Sequence, residues 1–146
     1  MPASPATPTN SRPPLLLLHR LRPDHAVDQT LARILTWQFQ QLGYPTTATA
    51  RASDALRILE ADPRPHLVVV TNLTTHLEAS AFLREVNRRP ELRARLRVLG
   101  TTAASIHEYR RELSVGPIDE LIEVPYDSLK LRARLAVLEI QLRDIS

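Results

Sequence analysis

The chain has 146 residues, 43% of them hydrophobic, a formal net charge of +3 and no cysteine. This length fits one domain with a hydrophobic core of its own, and the lack of cysteine excludes disulfides and thiolate metal sites and is typical of the reducing cytoplasm. No apolar run is long enough to cross a membrane, so no membrane partner is expected.

The first residues are rich in proline, serine, threonine and alanine, and they contain no charged segment followed by an apolar core. They therefore do not resemble a secretory signal. We predict a disordered tail over residues 1–13 and a single domain over residues 14–146.

Five short segments with the character of strands alternate with segments of helical periodicity. These segments are Leu15 to His19, Thr46 to Ala50, Leu67 to Thr71, Leu96 to Thr102 and Leu121 to Pro125. Continuous apolar runs are typical of parallel strands covered on both faces. Because strands separated by helices imply right-handed crossovers, the sequence predicts an α/β sandwich around a parallel sheet.

The helices are marked by apolar spacing and by turn residues. The first opens at Pro23-Asp24 and ends before Gly43, and its apolar face contains Val27, Leu31, Leu35, Phe39 and Leu42. Ser53 is the predicted N-cap of the second helix. The third runs from Leu77 to Asn87, a short fourth uses Ile106, Tyr109 and Leu113, and the last runs from Ser128 to about Arg143.

Basic residues cluster at Arg88-Arg89, at Arg93, Arg95 and Arg97, and at Arg110-Arg111, with glutamates interspersed among them. Only Tyr109 lies near a basic pair as an aromatic that could stack on a base, so nucleic acid is not the expected partner. Four of the five histidines lack metal-ligand spacing, and we predict that they are solvated or capping residues. They are His25, His66, His76 and His107.

Several stretches together resemble the receiver domain of bacterial response regulators, over the range from Pro14 to Leu142. Those stretches are Leu67 to Thr71, similar to the family's third strand, Phe82 to Val86 and Arg88 to Leu92, similar to its third helix and exit, and Val98 to Ala103, similar to its fourth strand. Val124-Pro125-Tyr126 stands where the family has Lys-Pro-Phe with a cis X-Pro bond. The resemblance implies a flavodoxin-like (βα)5 three-layer sandwich whose five-stranded parallel sheet has the order 2-1-3-4-5.

The ends of the strands depart from the family's site, since they carry almost no acidic groups. The resemblance places the family's acidic pair at His19 and Arg20, or at Arg20 and Leu21. It places the phosphoacceptor aspartate at Thr71 and the lysine at Val124. Only Thr102 has the residue type that the family has at the corresponding position. Mg²⁺ needs hard oxygen ligands, usually including carboxylates. We therefore predict a degenerate phosphorylation pocket with no metal, no cofactor and no enzymatic activity, formed by His19, Arg20, Thr71, Thr102, Val124 and Pro125.

Two other uses of this pocket stay open. Thr71 would need a general base to act as a nucleophile, and His19 is the only nearby candidate. Alternatively, His19, Arg20, Thr71 and Thr102 could bind a phosphate-bearing ligand together with backbone amides beyond the strand ends.

Two helices carry apolar residues beyond those that a core requires. Trp37 projects away from the apolar face of the first helix, so it is either a docking residue or a contact for the N-terminal tail. The last helix has a core stripe of Leu131, Leu135, Leu138 and Leu142 and a second stripe of Leu129, Ala133, Val137 and Ile140. The second stripe lies where the resemblance implies dimerisation through the fourth helix, the fifth strand and the last helix; scattered exposed side chains are the alternative.

The sequence thus predicts a phosphorylation-independent, receiver-like signalling protein that acts as a docking or dimerisation module, with another protein or a second copy of itself as partner. Its candidate interaction surface comprises Trp37, Tyr109, Leu129, Ala133, Val137 and Ile140. The alternative is a regulator that senses a small anion through the basic pocket or binds nucleic acid through its arginine clusters, and a steep salt dependence of DNA binding would favour it.

Overall fold

A computed structural model describes residues 12–73, 76–102 and 118–144. In chain order the elements are β1 (Leu15–Leu18), α1 (Ala26–Gln41), β2 (Thr46–Thr49), α2 (Ala52–Ala61), β3 (His66–Val70), α3 (Leu77–Asn87), α4 (Pro90–Arg93), β4 (Leu96–Thr102), β5 (Glu120–Glu123) and α5 (Ser128–Arg143). The strands pair in parallel in the order β2-β1-β3-β4-β5. The predicted flavodoxin-like sheet is therefore confirmed.

The sheet separates two apolar cores, which we name the α2/α3 core and the α1/α5 core. Because successive side chains of a strand point to opposite faces, Leu16 and Leu18 of β1 lie in the α2/α3 core and Leu15 and Leu17 lie in the α1/α5 core. Strands β1 and β3 are buried along their whole length. Coverage on both faces explains why their sequences are continuously apolar.

Helix α1 begins later, and buries a different face, than the sequence predicts. It starts at Ala26 rather than at Pro23-Asp24, because Asp24 has a φ of 62° in the left-handed region and cannot belong to the helix. The helix buries Ala32 and Phe39, whereas Val27 and Leu31 are 53% and 47% exposed. The predicted core face is thus wrong at its first two positions, and Leu31 borders a cavity instead of the sheet core.

Helix ends depend on contacts from elsewhere in the chain. Helix α2 has Arg51 as its N-cap, so the prediction of Ser53 is wrong by two residues. The backbone N–H of Ala52 donates to Oε1 of Glu78 at 2.7 Å, which means that a side chain of α3 supplies the cap. Gly43 follows α1 with a φ of 97°, as predicted for a glycine just beyond a helix end.

A buried carboxylate, Glu139 of α5, joins three other side chains near the amino ends of the strands. Its Oε1 accepts hydrogen bonds from Tyr44 Oη at 3.0 Å and from Arg12 Nη1 at 2.9 Å, and its Oε2 accepts one from Arg143 Nη2 at 2.6 Å. Burial opposes ionisation of Glu139, but these hydrogen bonds outweigh burial and hold its pKa below the ordinary value. Burial and the hydrogen bond to Glu139 raise the pKa of Tyr44 to about 12.

One member of this cluster, Arg12, lies within the segment that the sequence predicts to be a disordered tail. Arg12 also lies over the ring of Tyr44, with the guanidinium carbon 5.3 Å from the ring centroid. Residues 1–11 of that predicted tail lie outside the described residues.

Four of the five arginines in two predicted basic clusters are used within the fold. Their partners are Asp119 for Arg93 (2.7 Å), Glu60 for Arg89 (3.0 Å), the Leu59 carbonyl for Arg95 (2.6 Å) and the Leu96 carbonyl for Arg97 (2.6 Å). These guanidinium groups satisfy carboxylates and carbonyls of the same chain, which is a structural role.

Some sequence predictions fall on residues that the structure does not describe. The predicted short helix with Tyr109, the pair Arg110-Arg111 and His107 lie outside the described residues. Within the described ranges, no helix is both long enough and apolar enough to span a membrane.

Candidate functional site

A cavity of about 380 Å³ lies at the carboxyl ends of β1 and β3, between α1 and the segment after β5. The strand order reverses at this point, because β2 and β3 lie on opposite sides of β1, and open α/β sheets bind ligands at such points. Its polar lining is His19, Arg20, Asp28, Gln38, Thr71, Asn72 and Thr101, and its apolar and aromatic lining is Leu31, Ala32, Ile34, Leu35, Val124, Pro125 and Tyr126.

Thr71 follows β3 and is buried at the floor of the cavity. Val69 lies in the α1/α5 core, so Thr71, two residues later, faces the same side of the sheet. Its Oγ1 accepts a hydrogen bond from the backbone N–H of Arg20 at 3.1 Å, and its own N–H donates to the carbonyl of Leu18 at 3.2 Å. The hydroxyl therefore helps to join the ends of β1 and β3.

His19 lines the same cavity, and its Nδ1 lies 3.4 Å from the carbonyl oxygen of Arg20. A nucleophilic hydroxyl needs a base within hydrogen-bonding reach. Among the described contacts, the hydroxyl of Thr71 is engaged by the Arg20 backbone rather than by the imidazole. The geometry thus gives no support to a catalytic pair of His19 and Thr71.

Asp28 is the site residue that the sequence analysis missed. It is 4% exposed, and it accepts hydrogen bonds from the Arg22 backbone N–H and Nε at Oδ2 (2.8 and 2.9 Å) and from Arg22 Nη2 at Oδ1 (2.9 Å). Arg20 Nε lies 3.9 Å from Oδ2. The hydrogen bonds from the Arg22 side chain outweigh burial and hold the pKa of Asp28 well below its usual range.

This set of side chains does not fit Mg²⁺, which takes hard oxygen ligands and usually carboxylates. In the described part of the chain, Asp28 is the only carboxylate that lines the cavity, and both of its oxygens accept hydrogen bonds from Arg22. Two guanidinium groups stand beside it and would repel a cation. Across the same ranges, no group of three His, Asp or Glu side chains is placed to hold a metal ion.

Thr101, rather than Thr102, is the β4 threonine that lines the cavity in the described structure. Leu99 lies in the α1/α5 core, and Thr101 faces the same side two residues later, whereas Thr102 shares the opposite face with Val98. Thr101 Oγ1 accepts a hydrogen bond from the Asn72 backbone N–H at 3.1 Å. In the described part of the chain Thr101 is therefore the β4 threonine on the cavity side, and the role predicted for Thr102 stays a prediction.

Val124, Pro125 and Tyr126 form the wall of the cavity opposite α1. The Val124–Pro125 peptide bond is cis, as the resemblance implies. An aliphatic side chain at position 124 supplies no charge where the family has lysine. Burial raises the pKa of the Tyr126 phenol above its ordinary value.

Two histidines are buried, which corrects the prediction for His66, whereas His76 occupies the N-cap position of α3, in agreement with the prediction of a capping residue. His66 is 3% exposed and donates from Nδ1 to the Arg64 carbonyl at 2.7 Å; His76 is 4% exposed and donates from Nδ1 to the Thr71 carbonyl at 2.8 Å. Burial lowers the pKa of both imidazoles. His76 thus hydrogen-bonds the backbone of Thr71 at the end of β3. His25 is exposed, in agreement with its prediction.

Exposed apolar side chains lie on α1 and α5, and Leu77 at the start of α3 is also exposed. On α5, Leu129, Val137 and Ile140 are 72%, 45% and 57% exposed, while the predicted core stripe is buried. Ala133 is exposed as well. On α1, Trp37 is 59% exposed. The same helix exposes Val27, Leu31 and Ile34, which the sequence analysis did not assign to a surface.

Comparison with solved structures identifies the fold. A signal receiver domain of a signal transduction histidine kinase from Syntrophus aciditrophicus is similar with a TM-score of 0.68 and 24% identity, over 88% of this chain and 92% of that one. The chemotaxis protein CheY4 of Vibrio cholerae gives 0.70 and 12%, over 88% and 99%, and a response regulator receiver domain protein from Clostridium thermocellum gives 0.70 and 13%, over 92% and 99%. The chain therefore has the receiver-domain fold.

No protein-family model matches the sequence, and no curated protein matches it. The likeness to solved receiver domains consequently extends to the fold, and the function must be argued from the residues of this chain.

Proposed function

We propose that this chain is a receiver-fold signalling protein that works without aspartyl phosphorylation and without enzymatic activity, as a docking or dimerisation module. One observation carries the proposal. At the strand ends, the hydroxyl of Thr71 is engaged by the Arg20 backbone, and Asp28 accepts hydrogen bonds from Arg22 at both oxygens.

The chemistry of phosphoryl transfer supports the same proposal. A carboxylate is ionised at neutral pH, whereas a threonine hydroxyl needs a general base before it can attack phosphorus. The transferred phosphoryl group also needs cationic and metal support for its charge. Among the described contacts no base reaches the Thr71 hydroxyl, and the donor set does not fit Mg²⁺, so the described residues supply neither a general base nor a metal site.

Incubation of the full chain with acetyl phosphate and Mg²⁺, followed by intact-mass spectrometry, tests the absence of phosphorylation. We expect no mass increase corresponding to a phosphoryl group. A receiver domain with an aspartate acceptor, treated in parallel, provides the positive control. A stoichiometric adduct that maps to Thr71 would contradict the proposal.

The second stripe of α5 supports a role in self-association. Leu129, Ala133, Val137 and Ile140 project from a helix whose other face already fills the α1/α5 core. Burying an exposed apolar side chain contributes roughly 1.5 to 3 kcal/mol when burial is complete. Twofold symmetry counts each contact twice, so a few such residues can sustain a dimer. Trp37 on α1 is the alternative docking residue.

Replacing Val137 and Ile140 together with Asp tests the interface. The core stripe is untouched, so we expect a folded monomer from a wild type that self-associates, as measured by sedimentation velocity and circular dichroism. Leu77→Asp is the matched control, because Leu77 lies on α3 and is 86% exposed. A wild type that is monomeric at high concentration, or a double variant with unchanged mass, would reject the α5 interface and leave Trp37 as the candidate.

A further inference from the structure

Strand β2 lies at one edge of the sheet and pairs with β1 on its inner side. The carbonyl oxygen of Thr49 accepts a hydrogen bond from the backbone N–H of His19 at 3.0 Å, so the backbone groups of Thr49 point towards β1. Because these groups alternate in direction along a strand, the N–H and C=O groups of Thr46 and Ala48 point away from β1. An extended segment beside β2 can pair with them, as is general for sheet edges.

A groove of about 510 Å³ runs between this edge and helix α1. Ala48 pairs with Leu17, which lies in the α1/α5 core, so its side chain faces α1, and it lines the groove. On α1 the lining side chains recur at helical spacing and form one stripe, which comprises Gln29, Arg33, Thr36, Trp37 and Gln40. The stripe is about 16 Å long at a rise of about 1.5 Å per residue. About five residues of an extended chain have the same length.

The lining of this groove favours a negatively charged occupant. In the described part of the chain, no carboxylate lines the groove. Arg33 is exposed, and its guanidinium makes no hydrogen bond or ion pair with the described residues. The other ionisable side chain of the lining, His19, becomes positive when it is protonated. A carboxylate on the occupant would therefore meet an available guanidinium.

Trp37 gives the groove an apolar contact at a defined distance from this charge. It lies one helical turn after Arg33 and is 59% exposed. One turn corresponds to about 6 Å along the helix, and side chains two residues apart on one face of a strand are separated by roughly the same distance. An extended peptide can therefore place an acidic side chain at Arg33 and an apolar side chain on Trp37. Tryptophan and arginine are also the residues that most often dominate binding energy at interfaces.

We propose that the edge of β2 binds an extended, acidic segment of a partner protein, which adds to the sheet as a sixth strand. Its backbone pairs with Thr46 and Ala48, an acidic side chain pairs with Arg33, and an apolar side chain two residues away covers Trp37. A second copy fits less well, because antiparallel pairing of two β2 strands places both α1 helices, with their like charges, on one face of the sheet. The inference names a partner class for the docking role proposed above and rests on that role, but it does not use the α5 stripe.

Titration of the ¹⁵N-labelled full chain with the peptide acetyl-Thr-Glu-Val-Phe-Val-Glu-Thr-amide tests the inference. The peptide reads the same in both directions, so it can present Phe and two flanking Glu side chains to the groove in either orientation. We expect a saturable shift of the indole N–H of Trp37, which is the single tryptophan of the sequence. We also expect slower hydrogen exchange of the Thr46 and Ala48 amides, because they become paired.

The control peptide acetyl-Thr-Val-Glu-Phe-Glu-Val-Thr-amide has the same composition and charge. In an extended conformation it turns both Glu side chains to the opposite face of the added strand. It is expected to bind at least about threefold more weakly, since an exposed ion pair contributes modestly to affinity.

Two pairs of variants provide the matched comparison. Arg33→Glu replaces attraction by repulsion and is expected to weaken binding about tenfold. Arg84→Glu makes the same charge change at an exposed position on α3 and is expected to leave the affinity unchanged. Trp37→Ala is expected to weaken binding about tenfold or more, whereas Ile34→Ala, at an exposed position of the same helix outside the groove, is not.

Ala48→Pro tests the backbone pairing. It removes an N–H that points away from β1 and so preserves the ladder between β1 and β2, and proline is accepted at sheet edges in this orientation. We expect a loss of peptide binding by a folded chain. If this variant does not fold, the two pairs of variants decide.

The inference is overturned by absence of saturable shifts, by equal affinity for the two peptides, or by equal effects within either pair of variants. Self-association that Trp37→Ala abolishes would identify a second copy as the occupant and would also overturn it. Intact-mass spectrometry and sedimentation of the α5 variant test the proposed function by other readouts, so failure of one proposal is distinguishable from failure of the other.

Discussion

The backbone N–H of Arg20 and the hydroxyl oxygen of Thr71 are joined by a hydrogen bond of 3.1 Å, which links the loop after β1 to the end of β3. This contact occupies the position where the resemblance places a phosphoacceptor. Because the hydroxyl oxygen accepts a hydrogen bond that joins the ends of two strands, we assign Thr71 a structural role. The site therefore differs from the family's active site in its hydrogen bonds as well as in the identity of the residue at position 71.

A single aspartate should not restore metal binding. We expect Thr71→Asp to bind Mg²⁺ no more tightly than the wild type, since one added carboxylate would still stand beside Arg20 and Arg22. Isothermal titration calorimetry measures this directly. The combined variant with His19→Asp, Arg20→Asp and Thr71→Asp supplies three carboxylates and is expected to bind the ion. Clear Mg²⁺ binding by Thr71→Asp alone would show that Arg20 and Arg22 do not prevent metal binding.

Loss of Asp28 should destabilise the fold at neutral pH. Asp28→Asn removes the charge that accepts three hydrogen bonds from Arg22, and hydrogen bonds to charged groups are worth about 1.5 to 3 kcal/mol. The exposed Asp24→Asn is the matched control, because asparagine also tolerates a positive φ. Urea denaturation gives the two free energies of unfolding. Similar values for both variants would contradict the assigned role of Asp28.

The contribution of Asp28 should also depend on pH in a defined direction. Its pKa is lower in the folded chain than in the unfolded chain, so the unfolded state binds more protons in acid. The stabilisation is complete above the unfolded pKa of about 3.9 and is lost as the pH falls below it. We therefore expect the difference between the wild type and Asp28→Asn to shrink in acid, as followed by denaturation at a series of pH values.

Two buried histidines should make the chain less stable as the pH falls through the ordinary imidazole range. Burial lowers the pKa of His66 and His76 in the folded state, so the unfolded chain takes up protons first, below about pH 6.5. Each can reduce the free energy of unfolding by up to about 1.4 kcal/mol per pH unit. The double variant with His66→Gln and His76→Gln should flatten this slope, whereas the exposed His25→Gln should not. Parallel slopes for all three proteins would refute the assignment.

The hydrogen bond between Tyr44 and Glu139 can be measured with a double-mutant cycle. Tyr44→Phe removes a hydroxyl that donates to a buried carboxylate at 3.0 Å, and the expected loss is about 1.5 to 3 kcal/mol. When Glu139→Gln is already present, the same substitution should cost less, because the charged acceptor is gone. A coupling of about 0.5 kcal/mol or more is expected from residues in direct contact. Additive effects would show that the contact contributes little.

The sequence was sufficient to predict the sheet because its signals are local. Strands β1 and β3 are covered on both faces, so Leu15 to Leu18 and Leu67 to Val70 are continuously apolar. Helix α3 and helix α5 have the predicted bounds because the apolar spacing that marks them is also a local signal. The start of α2 was misplaced because its cap comes from Glu78, which lies 26 residues away.

The site was less predictable because its contacts join distant parts of the chain or depend on which way a side chain faces. Asp28 and Asp24 are the only acidic residues between His19 and Gln41, yet nothing local reveals that Asp28 lies buried at the end of β1. The alternation of β4 did contain a usable signal, since Thr101 shares a face with Leu99. His76 lies after the end of β3 and gives no local sign that it is buried.

Leu31 and Ile34 belong at once to the wall of the cavity and to the exposed face of α1. A partner that covers this face would also close one side of the cavity, so occupation of one would alter the affinity of the other. Thermodynamic linkage makes such an effect reciprocal and equal in size in both directions. Substitutions at these two positions would therefore change the exposed face of α1 and the wall of the cavity together.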